Sequence, residues 1–446
     1  MKKLICVLLC AALVFSLCAC GLQNLKDLEL PPLPKVTEVI TTPKPTATPE
    51  PVVVTPELTL APTELELEPA AEEPLGLEGQ VAVRYKHTEY EQFDPEEGTQ
   101  RILTFAYDSP YVTIYGNQEA TAVLNGQLAF MDENFYLGGS EGDGFGFNGL
   151  LEMAEDNYAY ARQSGDSNLP MEYSSTRTVT PKRIDSNMVS FLFSYADYSG
   201  GSHSNYSDVG CVFDTHTGEQ LRLEDLSSDY DKLANRLVHE LVSLTSTDES
   251  LYQHVFVNYM NDDYHGTLGK LLRPGAWYFD ENGMVFTSSL YELGPYSAGL
   301  AVFHIPYSKI RDVIDERWLP EERSETGSLR IAALDAGQEG RLSYLDRIEA
   351  DKRGGEFCLI AEGSVYDLKL SRVFYSNEFV ENEQLWFCSQ MQDSAVQVKA
   401  RIPEGMPDLM LSYTDQQGNS YQKLITGDTE NNVYQLTDRD SVSPVG

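Results

Sequence analysis

Ser199-Gly200-Gly201-Ser202-His203-Ser204-Asn205 sets an imidazole inside a glycine turn between two strand-like runs. With Asp214 and His216 downstream, His203 has the residue types of a metal site or a general base. However, no H-x-x-x-H or H-E-x-x-H spacing puts two ligands on one helix face, and no nucleophile can be named beside the histidine. The plainer reading is a turn whose glycines supply positive φ while His203 bonds to backbone. Gly138-Gly139-Ser140-Glu141-Gly142 fits G-x-S-x-G but lacks the strand and the immediately following helix of a nucleophile elbow. Gly144-Phe145-Gly146-Phe147-Asn148-Gly149 fits G-x-G-x-x-G without a βαβ context, so it reads as a loop ending in an Asn148 helix cap. No catalytic residue, metal or cofactor is expected.

Cys20 offers different chemistry. Lys2 and Lys3, the apolar stretch Leu4 to Leu17, and Leu17-Cys18-Ala19-Cys20-Gly21 have the order of a secretory signal peptide. The segment is too short to span a bilayer comfortably. Leu-x-Ala-Cys resembles the lipobox of bacterial lipoproteins, in which the cysteine thiol is lipidated and becomes the first mature residue. Residues 1–19 are therefore expected to be the signal peptide and Cys20 the lipidation site, on the extracytoplasmic face of the cell membrane. Three other cysteines remain: Cys211, Cys358 and Cys388. Cys358 and Cys388 fall mid-strand and are either bridged or two buried thiols; Cys211 reads as a buried free thiol.

The charge narrows the partners. Against 32 Lys+Arg stand 69 Asp+Glu, a formal charge of −37 over 446 residues. Such a field repels phosphates, so nucleic acid and the face of an anionic bilayer are excluded as partners, the N-terminal lipid being the only membrane contact expected. Cationic partners are favoured.

Positioning these residues requires folded material, and it begins late. Residues 20–80 lack aromatics and carry 11 of the 22 prolines, between 31 and 76, mixed with Thr, Glu, Ala and Val. This composition cannot bury enough apolar surface to order itself, and it reads as an extended stalk. From Val81 the pattern becomes α+β. It predicts one or two strands over 103–115, a helix capped by Asn117, a second helix over 148–163, and an antiparallel meander over 171–181, 188–197 and 206–214. Leu233, Leu237, Leu241 and Leu244 mark the apolar face of a helix starting at Ser227. A short helix near 250–260, a hairpin over 277–290, a strand over 300–305 and a helix over 306–318 complete a unit at 81–320. After a charged boundary at 320–327, seven short strands in 321–446 predict a small β-sandwich.

Three segments agree with one family. The Gly200-Gly201-Ser202-His203 turn, Phe213-Asp214-Thr215-His216-Thr217-Gly218-Glu219 with Leu221, Leu223 and Asp225-Leu226, and Tyr291-Glu292-Leu293-Gly294-Pro295-Tyr296-Ser297-Ala298-Gly299 resemble, in this order, the extracellular domain of RsiV-type anti-sigma factors. Those proteins are lysozyme receptors, and the same domain is an accessory module of PdaC-type peptidoglycan deacetylases. The resemblance covers about residues 100–318. Ser202 and Ser204 depart from the usual Ala and Gly, and both the sigma-binding segment and the deacetylase domain are missing. What it implies is a ligand-binding module with Gly200, Gly201, His203, Tyr291, Glu292 and Tyr296 as candidate contacts, and a cationic lysozyme-like protein or a cell-wall glycan as partner. The alternatives are a wall-polymer enzyme with a site near His203 and Asp214, and a structural envelope-assembly lipoprotein.

Overall fold

The computed structural model describes residues 77–438 except 139–145, 165–171, 249–250, 252–263, 334–343, 353, 376–378, 404–406 and 429–432. Cys20, the signal peptide, the stalk as far as residue 76, nearly all of the G-x-S-x-G match, Gly144-Phe145, and most of the helix expected near 250–260 lie outside the described residues; the last four residues assigned to the stalk, 77–80, belong to the fold, with Leu77 buried and Gly79 N donating to Tyr115 O at 3.0 Å.

The fold is α+β. It opens with a long hairpin, β1 (Val81–Phe93) and β2 (Arg101–Ile114). Its turn is tied by one buried carboxylate: Asp94 Oδ1 accepts from the backbone N–H of Glu97 and Gly98, and Oδ2 from Thr99 and Gln100, at 2.6–3.1 Å. Asn117 caps α1 (Gln118–Leu137) by accepting from Ala120 N at 3.1 Å. The second helix, α2 (Gly146–Ser164), begins two residues before Asn148, which is therefore an interior helical residue and not the expected cap. Gly146 makes that start possible: its φ is +59°, and a Cβ there would lie 2.3 Å from the backbone of Leu137 and Gly138.

β3 (Tyr173–Ile184), β4 (Met188–Tyr198) and β5 (Asn205–Asp214) form the expected antiparallel meander, with β3 parallel to β2. α3 (Tyr230–Thr247) starts later than Ser227 because Asp229 supplies the cap to Lys232 N. Leu233, Leu237 and Leu241 are fully buried in one core with Leu192, Val212 and Trp318. That core lies under a three-stranded sheet of β6 (Trp277–Phe279), β7 (Gly283–Thr287) and β8 (Val302–Pro306). α4 (Tyr264–Gly269) contributes Leu268 to it. The helix expected over 306–318 is instead α5 (Tyr307–Ile310) and a 3₁₀ turn at Glu316–Trp318.

Beyond the 320–327 segment come β9 (Ser328–Ala333), β10 (Tyr344–Glu349), β11 (Gly355–Glu362), β12 (Ser364–Tyr375), β13 (Phe379–Gln392), β14 (Ala395–Ala400), β15 (Leu409–Thr414), β16 (Ser420–Asp428) and β17 (Val433–Asp438). A four-stranded sheet, β10-β14-β11-β9, packs its Phe357, Leu359, Val396 and Val398 against Leu370, Trp386, Leu411 and Ile425 from β12, β13, β15 and β16. This is a sandwich, but one of its layers continues into the first half of the chain. The large sheet runs β17-β16-β15-β12-β13-β1-β2-β3-β4-β5, joined where Ala82, Val83 and Arg84 pair with Cys388, Phe387 and Trp386. Residues 81–320 and 321–446 thus share a sheet, and their cores meet at the joint: Ala82 and Tyr115 pack in the sandwich core, and Phe387 packs in the core of β1 to β5. Buried Asp346 of β10 reinforces the joint, accepting from Arg84 Nε and Trp386 Nε1, each at 2.9 Å.

The cysteines decide between the two alternatives. Cys358 and Cys388 are not bridged; both are buried thiols, as is Cys211. Strand alternation explains why: Phe357 and Leu359 face the sandwich interior with Cys388, whereas Cys358 points to the opposite face with Ile360 and Ala395. Burial pushes the Cys211 thiol up to about 12 and raises that of Cys388 as well.

Strand registers define two ends of this part of the sheet. Val81, Ile114, Ile184, Met188 and Asp214 share the end where the folded chain begins; Phe93, Leu103, Tyr173, Tyr198 and Asn205 share the far end.

Candidate functional site

The far end carries the histidine turn. Gly200 and Gly201 both hold positive φ, +91° and +103°, letting the chain reverse between β4 and β5. Tyr198 Oη donates to Gly201 O at 3.1 Å. A Cβ on Gly200 would sit 3.0 Å from Tyr173 Oη, so the turn is packed against that tyrosine as well.

His203 is exposed and its Nδ1 lies 3.3 Å from Ser204 O. Its ring stacks on Tyr296, with centroids 3.8 Å apart and planes at 22°. Tyr296 stands on the 3₁₀ turn Tyr296–Ala298 that follows Pro295, and its Oη donates to Ser204 O at 2.6 Å. The tyrosine therefore buttresses the glycine turn from a segment 92 residues away. Tyr206 meets it edge-on at 5.8 Å, and Tyr291 lies tilted at 6.0 Å. Desolvation by the neighbouring rings, followed by the hydroxyls of Tyr206 and Tyr291, raises the Tyr296 phenol above its ordinary value.

Tyr291 is 50% exposed and has φ +63°. An aromatic side chain in the left-handed region costs about 1–2 kcal/mol of backbone strain. It is the third residue of the turn Ser289–Glu292, closed by Glu292 N donating to Ser289 O at 3.3 Å. Glu292 does not face outward as a free acid. Arg273 clasps it with two bonds, Nη1 to Oε1 at 2.7 Å and Nη2 to Oε2 at 2.9 Å, and Ser289 N donates to Oε2 at 2.7 Å. Glu292 is therefore a turn-fixing residue whose charge is already compensated.

Of the residues singled out in the sequence, Gly200, Gly201, His203, Tyr291 and Tyr296 come together in one rim, with Glu292 directly behind. Sequence reasoning missed Tyr173, Tyr198, Tyr206 and Arg273. The pairing Ser174↔Tyr198 and the position of Tyr206 as the second residue of β5 bring these tyrosines to the rim. The weak signal for them was a recurring tyrosine at the ends of three predicted strands.

Asp214 and His216 are elsewhere. They follow the opposite end of β5, about 30 Å from its start at ~3.3 Å per residue. Buried Asp214 accepts from Arg317 Nη2 at 2.5 Å and from His216 N at 2.8 Å, and its backbone closes the 214–219 turn with Gly218 and Glu219. His203 and Asp214 thus cannot share a reacting atom. Among the described residues, no group of three or more His, Cys, Asp or Glu is placed to hold a metal ion.

The comparisons with known proteins bear on this rim. Residues 225–308 match the family described as protein of unknown function, DUF3298. The match is to one domain. It runs from the 3₁₀ turn before α3 through β8 and contains Arg273, Tyr291, Glu292 and Tyr296. Similar solved structures include a DUF3298 family member from Bacteroides fragilis, 16% identical over 53% of this chain and 94% of that one, with a TM-score of 0.39. Another is a DUF3298 family protein from Pseudomonas aeruginosa, 17% identical over 54% of this chain and 97% of that one, with a TM-score of 0.32. No curated protein matches the chain.

Proposed function

We propose that this is a non-catalytic lipoprotein, anchored through Cys20 on the extracytoplasmic face of a bacterial membrane, that presents the His203–Tyr296 rim to an extracellular ligand. The ligand is a cationic muramidase or a peptidoglycan glycan. The observation that carries this reading is the rim itself: exposed rings held in a strained, buttressed arrangement, at the end of the sheet opposite to where the folded chain begins. Strain kept at a surface position with no core to serve is characteristic of binding sites. The DUF3298 match adds support, since this domain occurs in RsiV and PdaC-like proteins. Among the described residues no helix is long and apolar enough to cross a membrane, which is compatible with attachment by lipid alone.

The test has two arms. Cys20→Ala should move the protein from the membrane fraction to the medium; equal retention of mutant and wild type removes the anchor. Full-length protein should co-sediment with purified sacculi or be held by immobilised lysozyme at low salt, where charge attraction is strongest. Retention by neither rejects the ligand reading.

A further inference from the structure

The ligand class can be narrowed from the charges at the rim, on the reading above that the rim is where the ligand binds. The whole chain is strongly acidic, yet the acids at the rim are already engaged. Asp197, which pairs with Asn205 across β4 and β5, is partly buried and accepts a hydrogen bond from Ser175 Oγ. The nearest candidate acid in sequence, Glu292, is neutralised by two bonds from Arg273. Asp208, on the β5 strand that carries Tyr206, is bonded to Ser194 Oγ at 2.6 Å. A cationic protein docking here would have to bring its charges against rings already stacked and a carboxylate already paired, gaining little and desolvating its own side chains.

What the rim does offer is two accessible rings, His203 and Tyr291, both against Tyr296. Ser202, Ser204 and Asn205 are exposed beside them. A pyranose has the matching surface: a face of polarised C–H bonds that rests on the negative face of an aromatic ring, and an edge of hydroxyl or acetamido groups that pair with hydroxyl and amide side chains. The rim is open, which suits a stretch of polymer more than an enclosed terminal sugar.

We infer that the His203–Tyr291–Tyr296 rim is a saccharide-binding platform for an uncharged, N-acetylated glycan strand. Binding is carried by ring stacking and hydrogen bonds and owes little to the negative charge of the chain. Tyr291 is the residue that discriminates this role from a structural one, because its left-handed backbone destabilises the fold and its side chain is half in solvent.

The experiment measures chitohexaose binding to the full chain by calorimetry, between 50 and 500 mM salt. Wild type should bind with an affinity that changes less than twofold across that range. Tyr291→Gly and His203→Ala should each weaken it by tenfold or more. Tyr291→Gly removes the strain, so its melting temperature should equal or exceed that of wild type, and loss of binding with gain of stability cannot be a folding defect. Absence of chitohexaose binding by wild type overturns the inference, as does full affinity in both variants or loss of binding with rising salt. Retention on lysozyme or intact sacculi together with no chitohexaose binding overturns the saccharide inference while leaving the wider ligand reading intact; no binding to any of the three ends both.

Discussion

The two ends of β5 spend their polar residues in opposite ways. Where the strand finishes, Asp214 is buried, paired with Arg317 and bound by the backbone of its own turn. Where it starts, the turn is held by glycines, tyrosine hydroxyls and stacked rings, with Ser202, His203, Ser204 and Asn205 open to solvent. The contrast shows that several carboxylates in this protein build turns. Asp94, Asp185, Asp280 and Asp415 each accept backbone N–H groups within their own loops. A large negative charge is thus a poor guide to the place where a partner binds.

The comparison breaks most directly at Asp214. Asp214→Ala leaves Arg317 without its partner and unties the 214–219 turn, and should cost about 2–3 kcal/mol in urea denaturation, with chitohexaose affinity unchanged in the folded fraction. A loss of binding at constant stability would put the functional end of β5 on the wrong side.

Acid titration tests two of the turn-building carboxylates. The backbone bonds to Asp94 hold its carboxyl well below the usual carboxylate range, and bonds from Asn419 lower that of Asp415. A depressed folded-state value gives stability that is complete above the unfolded value near 3.9 and is lost as pH falls below it. Thermal stability should therefore fall between about pH 4 and pH 2, and Asp94→Asn should flatten that slope. A slope identical to wild type would remove Asp94 from this role.

The smallest effect is expected at Glu292. Glu292→Gln breaks its partly buried pair with Arg273 and should cost about 1 kcal/mol, with saccharide affinity held within twofold. A tenfold loss would mean that the Glu292 charge does reach the ligand.

Much of the fold was legible where apolar spacing was regular. β2 to β5, the Asn117 cap and the leucine face of α3 all follow from local pattern. β1 was not, since after Val81-Ala82-Val83 its residues Arg84 to Phe93 alternate charge and ring without a clear apolar face; it is ordered because β2 pairs along its length and β13 at its start. β10 and β17 are only six residues long, β10 with three charged residues and β17 mixed polar and apolar, and their partners make them strands. For the site, the three agreeing segments named residues that the structure brings together, but no local pattern gives the contact of Tyr296 with the turn 92 residues earlier. The pairing of Glu292 by Arg273 was invisible for the same reason, and it reversed the meaning of that acid. The Cys358–Cys388 bridge failed on parity: being mid-strand does not say which face a side chain takes.

β1 is the sixth of the ten strands in the large sheet, and residues before Leu77 reach the fold through its Val81 end, whereas the rim lies at the other end of the strands. Tension between a held N-terminus and a ligand gripped at the rim would run along the strand axes. The ladders on either side of β1 would then be loaded in shear, many bonds at once, and not peeled one pair at a time as at a sheet edge. Under the proposed anchoring and binding, the pull would enter through a strand inside the sheet, paired with β2 along its length and with β13 at its start.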